Sequence, residues 1–279
     1  MRAMNIKANT GSAGWIQLKA SWKKNRKHYL QEALGLAIFM ISACFFGALL
    51  EAKDSSLHHA IPNDLARTII IAVLMGATAL FIFYSPFTAP SGSHINPAVT
   101  LTFLRLGKIC HWDALFYILF QFIGGTLAVY IMQLLMGEIL TAFPVNSAVT
   151  IPEKTGTGPA LIMEIFIAFV TMTMILFVSA NIKFSRYARI FSGCLVCTWV
   201  IVAGPVSGFG MNPARSFASA LPAGIWTRFW IYVFAPVAGM LLAAEVFLFV
   251  QRRKTMMRFH HRRENNSSKE LLEPLEFLL

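Results

Sequence analysis

The chain has 279 residues, 56% of them hydrophobic and only 13% charged, with a mean hydropathy of +0.60. Soluble domains carry about twice that charge fraction, which excludes an ordinary soluble globular protein. The net charge of +11 does not indicate a nucleic-acid binder, because the Lys and Arg crowd the two ends and two loops rather than an interleaved basic and aromatic patch.

Residues 1–28 form a polar, basic lead with no apolar core of a cleavable signal peptide, and Lys19, Lys23, Lys24, Arg26 and Lys27 stand next to the membrane. The first apolar span covers about 29–51 and contains Glu32; a polar loop and a second span at about 65–84 follow. Next comes Ser91-Gly92-Ser93-His94-Ile95-Asn96-Pro97-Ala98-Val99, which reads as a helix start. Asn is a strong N-cap, and Pro suits the first helical position, where its missing N–H would be unpaired anyway. The apolar run ends near Arg105, too short to cross a bilayer. A third span at about 112–136 carries Gly124-Gly125, suited to close helix contact.

After a Thr/Gly/Pro loop at about 137–158 the pattern restarts. Span four, about 159–181, contains Glu164, and span five is about 187–204. A second short helix starts at Asn212-Pro213-Ala214-Arg215, and span six is about 226–250. The tail from Gln251 is basic, then acidic and apolar. Four cysteines, Cys44, Cys110, Cys194 and Cys197, lie in or beside apolar runs. A disulfide framework does not fit them, and Cys194-x-x-Cys197 reads as packing because no second pair exists to complete a metal site.

The expectation is an all-α membrane protein: six transmembrane helices plus two re-entrant half-helices. The organisation is a basic lead (1–28), a channel domain (29–250, with repeats 29–136 and 159–250) and a tail (251–279). Three spans per half invert the second repeat relative to the first. Irregular backbone at membrane depth is tolerated only where protein buries it or where it lines a watery cavity, so the two half-helices point to a central pore. With both termini in the cytoplasm, all Lys and Arg except Lys53, Arg67, Lys154, Arg215 and Arg228 fall on the inside.

Six spans, a doubled Asn-Pro-Ala, Arg215 two residues after the second Pro, His94 before the first motif and a Glu in each half together resemble the aquaporin (major intrinsic protein) family. The likeness covers about residues 29–250. It implies a passive channel for water and small neutral solutes, with no cofactor, no metal and no enzymatic activity. It also implies a homotetramer with one pore per subunit, in the plasma or inner membrane. Two facing helix N-termini would place about +0.5 charge each at the pore centre and repel cations. The amides of Asn96 and Asn212 would donate to one water, breaking the donor–acceptor chain that a hopping proton needs. By resemblance, Arg215 is the outer constriction arginine, and Glu32 and Glu164 brace the loops before the half-helices. The carbonyls of Ser93, His94, Ile95, Phe209, Gly210 and Met211 are expected to line the path. Pro97, Ala98, Pro213 and Ala214 start the half-helices, and His94 is expected to be a packed histidine rather than a pH gate.

Spacing in the family, with no insertions assumed, places the selectivity filter at Gly76, Val200, Phe209 and Arg215. That set matches neither the water-only nor the glycerol-conducting pattern. Phe209 is glycerol-like, Ser216 is water-like, and Tyr232-Val233 mixes the two. The expected filter is wide and apolar, passing glycerol, urea, ammonia, peroxide or metalloid hydroxides beside water. A strictly water-selective pore is the alternative. A secondary transporter would need coupling groups, and the spans offer only Glu32, Glu164 and Glu245. The sequence contains no metal cluster, nucleophile–base pair or phosphate loop for an enzyme.

Overall fold

The computed structural model describes residues 10–152 and 156–276, with side chains for 14–152 and 156–253. Six helices are long and apolar enough to cross a membrane. In chain order the main helices are α1 (Thr10–Glu51), α2 (Asp64–Tyr84), the short α3 (Pro97–Arg105), α4 (His111–Met136), α5 (Thr157–Ser179), α6 (Ala188–Ser207), the short α7 (Pro213–Ala223) and α8 (Trp230–Glu276). The short helices are capped as the motifs predict: the side chains of Asn96 and Asn212 accept backbone N–H groups of the first turn, and Pro follows each.

The two repeats superimpose in their contacts as well as their order. α1 packs on α4, and α5 packs on α8. At the first contact a Cβ on Gly124 would lie 2.2 Å from the Ala33 carbonyl; at the second, one on Gly239 would lie 2.4 Å from the Ile165 carbonyl. Only glycine lets these backbones approach so closely. Across the repeats, α2 packs on α6.

The short helices are exchanged between halves. Ala98 of α3 is enclosed by Ile167, Met172, Trp199 and Met240 of the second repeat. Ala214 and Ala218 of α7 sit among Leu36, Met40, Ala128 and Val129 of the first. Two of the core's apolar clusters are therefore each completed by a half-helix of the other repeat.

The structure departs from the sequence expectation at the start of the chain. Helix α1 does not begin at the membrane span but extends back to Thr10. Polar contacts to α4 hold that extension. The Asp113 carboxylate accepts both Asn25 Nδ2 (3.0 Å) and the Tyr29 hydroxyl (2.5 Å), while Trp22 packs against Phe116 and Phe120. At the opposite end of the bundle Arg67 is buried with Glu51 (3.2 Å) and Asp64 (2.6 Å), fastening α1 to α2.

Candidate functional site

Each short helix is entered through a loop of unusual backbone, and the two loops match residue for residue. Gly92 and Gly208 have φ of 92° and 77°, Ser93 and Phe209 have 48° and 53°, and Ile95 and Met211 have 43° and 49°. A left-handed conformation costs a non-glycine residue about 1–2 kcal/mol, so four such residues must be held by their surroundings. At Gly208 a side chain is also excluded by space, since its Cβ would lie 2.6 Å from the Ile151 carbonyl.

The holding groups are the two buried glutamates. Glu164 accepts the Ser207 hydroxyl (2.6 Å) and the backbone N–H of Gly210 (2.8 Å) and Met211 (2.5 Å). Glu32 accepts the Ser91 hydroxyl (2.6 Å), the N–H of His94 (3.0 Å) and of Ile95 (2.6 Å), and also Gln121 Nε2 (2.8 Å). Every partner donates, which is what an acceptor-only carboxylate requires. A tyrosine completes each brace. Tyr117 donates to the Ser91 carbonyl (2.8 Å) and Tyr232 to that of Ser207 (2.5 Å). The sequence reading did not pick out Ser91, Ser207, Tyr117 or Gln121 as functional. Their only signal was position: the serines five residues before each Asn, and Tyr117 and Gln121 in the last span of the first half.

Asn96 and Asn212 meet through crossed hydrogen bonds. Asn96 Nδ2 donates to the Met211 carbonyl (2.8 Å), and Asn212 Nδ2 donates to the Ile95 carbonyl (2.7 Å). Their oxygens stay on their own helices, accepting Ala98 N–H (2.9 Å) in the first case and Ala214 N–H (3.1 Å) and Arg215 N–H (3.2 Å) in the second. Each amide thus ties one motif to the other, and one hydrogen of each NH₂ has no protein acceptor among the described residues. The expectation that both amides simply face the lumen is modified accordingly.

A cavity of about 320 Å³ runs along these groups. It begins at Ser185 and Arg189, on the side of the bundle where α1 starts, and passes His94 and the asparagine pair to Phe209 and Arg215. Ser93, Ile95, Gly210 and Met211 also line it. His94 stacks on Phe103 at 4.8 Å, and its Nδ1 lies 3.2 Å from Thr100 Oγ1. Arg215 donates to the Ala148 carbonyl (3.0 Å) and to Thr150 Oγ1, both in the loop before α5. Pro97, Ala98, Pro213 and Ala214 are buried at the starts of α3 and α7.

Two residues of the expected filter, Gly76 and Val200, do not line the cavity, whereas Phe209 and Arg215 do. Gly76 is absent from the cavity wall and faces α6: a Cβ there would lie 3.0 Å from Cys197 Cβ and 3.1 Å from the Gly193 carbonyl. The reason is the connection. Helix α6 ends at Ser207, but α2 ends at Tyr84, and Ser85, Thr88 and a helical turn at Ala89–Ser91 intervene before Asn96. Counting back through that turn does not preserve the face of α2. The adjacent Met75 lies with Ala79 of the same helix and Val196 of α6 in an apolar cluster against which Val200 and Phe209 pack. Glu245 pairs with Arg105 at 2.7 Å.

A family model described as major intrinsic protein matches residues 19–247. A probable aquaporin, NIP-type, from Nicotiana alata is 34% identical over 257 residues, covering 92% of this chain and 88% of that protein. Aquaporin NIP1-1 of Zea mays is 35% identical over 175 residues, which span 62% of this chain and 60% of the maize protein's length. The chain also resembles the X-ray structure of the aquaglyceroporin from Plasmodium falciparum, with a TM-score of 0.67 and 17% identity, covering 80% of this chain and 96% of that one. At that identity the likeness concerns the fold.

Proposed function

The chain belongs to the major intrinsic protein family, and from that premise we propose that it is a passive channel for water and small neutral solutes. The observation that carries the proposal is the crossed pair: two asparagines capping opposed half-helices and lining one cavity. The two N-termini bring about +0.5 charge each to the centre of the path, so a cation loses its hydration there without a compensating partner. The unspent hydrogen of each amide donates to a passing water. That water cannot donate back to either asparagine, so its hydrogens point away along the pore on both sides. A proton hopping through the file would need the reverse orientation on one side.

Arg215 narrows the far end. Held by Ala148 and Thr150, its remaining donors face the permeant molecule and its charge repels cations. Opposite it Phe209 lines the cavity, backed by the apolar cluster that holds Met75 and Val200, and in this reading Met75 takes the place expected of Gly76. This set lacks a polar histidine and is lined by apolar carbon, which favours small neutral solutes with a hydrocarbon edge, such as glycerol, over water alone. Urea, ammonia, peroxide and metalloid hydroxides have the right charge and size class. A transporter reading is not supported by the ionisable groups: Glu32 and Glu164 are consumed by loop bracing and Glu245 by Arg105.

The chain is a multi-pass membrane protein with both termini cytoplasmic, in the plasma or inner membrane, assembled as a homotetramer with one pore per subunit. The orientation rests on the distribution of Lys and Arg and the tetramer on the family. The deciding experiment is stopped-flow light scattering on proteoliposomes, with osmotic water flow compared with glycerol and urea entry. Fast water flow with glycerol entry above empty liposomes is expected. Water flow with complete solute exclusion would refute the wide filter, and no water flow would refute the channel.

A further inference from the structure

The ionisable groups lining the cavity are His94, Arg189 and Arg215; no carboxylate lines it among the described residues. Arg215 belongs to the outer constriction. Arg189 stands at the other end of the path, and nothing in the pore chemistry above uses it. It lies on the first turn of α6, with its guanidinium 5.4 Å from the centroid of the Tyr84 ring at the end of α2. That cation–π contact keeps the charge at the mouth instead of leaving it to wander over the surface. No described carboxylate pairs with Arg189, whereas Arg105 on the same side is paired with Glu245. The loop leading to it adds Lys183 and Arg186 and no acid.

We infer that Arg189 is a specificity-determining residue: it makes the cytoplasmic mouth electropositive, so that cations are turned away before they reach the asparagine pair. The inference rests on the channel reading above. A cleft lined by one sign of charge with low-dielectric walls changes the local concentration of ions by about 10–10³-fold. The walls here are Phe83, Phe103 and Val196, and no described carboxylate stands in the cavity to cancel Arg189. The pore then carries two guanidinium barriers in series, one at each end, with the helix termini between them. Neutral solutes pass all three, since a molecule without net charge meets no charge–charge repulsion at any of them and can accept hydrogen bonds from the donors it passes.

The test measures the potential in the mouth directly. Ser179, at the end of α5, lines the same mouth and is exposed. In a background with Cys110, Cys194 and Cys197 replaced, Ser179→Cys in proteoliposomes is reacted with a cationic and an anionic methanethiosulfonate of similar size. The ratio of the two rates reports the local potential independently of thiol reactivity. Adding Arg189→Gln is expected to raise the cationic-to-anionic ratio about tenfold at low salt. Arg189→Glu should raise it further, and the difference should shrink toward high salt, where the Debye length falls to about 3 Å. An unchanged ratio at low salt on neutralising Arg189 would overturn the inference. Osmotic water flow on the same vesicles separates the two ideas: vesicles without water flow fail the channel reading, while vesicles with water flow and an unchanged ratio fail only the role of Arg189.

Discussion

Replacing Glu164 with glutamine changes one atom and should disable the pore. In the native loop Oε1 accepts the Ser207 hydroxyl and Gly210 N–H, while Oε2 accepts Met211 N–H at 2.5 Å. An amide oxygen can replace Oε1, but an NH₂ group must then face the Met211 N–H, donor against donor. A hydrogen bond to a charged group contributes about 1.5–3 kcal/mol, and a buried N–H left without an acceptor costs about 1–3 kcal/mol. The loss is therefore roughly 3–5 kcal/mol, concentrated on a loop in which Phe209 and Met211 already hold left-handed backbone. The Met211 carbonyl is the acceptor for Asn96, so a relaxed loop misplaces the asparagine pair. With each 1.4 kcal/mol worth tenfold in population, Glu164→Gln should lower water permeability per inserted channel by at least tenfold. The assay is stopped-flow swelling normalised to channel content, with thermal unfolding in detergent as a second readout. Wild-type swelling and an unchanged melting temperature in Glu164→Gln would refute the bracing argument.

Four further outcomes follow from the geometry. Met75→Trp should cut glycerol entry more than water flow, whereas Gly76→Trp should lower the yield of folded protein through its clash with Cys197 and Gly193; selective solute exclusion by Gly76→Trp instead would restore Gly76 to the filter. Gly124→Ala forces a Cβ onto the Ala33 carbonyl and should lower the melting temperature, while Gly158→Ala, which meets nothing within 4 Å, should not; both are read by detergent thermal scans. Water flow should resist mercurials at the filter, since Phe209 offers no thiol there, and Phe209→Cys should make it mercury-sensitive in the swelling assay. Thr150→Val removes one support of Arg215 and should raise glycerol entry relative to water by a few-fold, read in the same vesicles.

The sequence made the architecture legible because each level of it agreed. Apolar runs long enough to span, an Asn-Pro pair at the start of two runs too short to span, and a Glu in each half all predicted helices where helices occur. The asparagine caps and the two buried glutamates were readable for the same reason: a polar group in apolar surroundings needs a partner, and the loops supply most of the donors. Contacts between distant elements were less legible. Gly76 was misplaced because a turn between α2 and Asn96 carries no periodicity to count through. The crossed Asn96–Met211 and Asn212–Ile95 bonds depend on two loops more than a hundred residues apart, and the helical lead of α1 depends on Asp113 of α4. No local pattern encodes such partners.

The exchange of α3 and α7 between the two clusters bears on how the polypeptide is made. Synthesis proceeds from the N-terminus, so α3 leaves the ribosome before Ile167, Trp199 and Met240, which will enclose Ala98, have been translated. Its socket does not exist until α8 has been inserted. The nascent first half therefore cannot form a continuous aqueous path, and the conduit closes around its two asparagines only when the whole chain is present. The conduit is thus a property of the complete chain and of neither half alone.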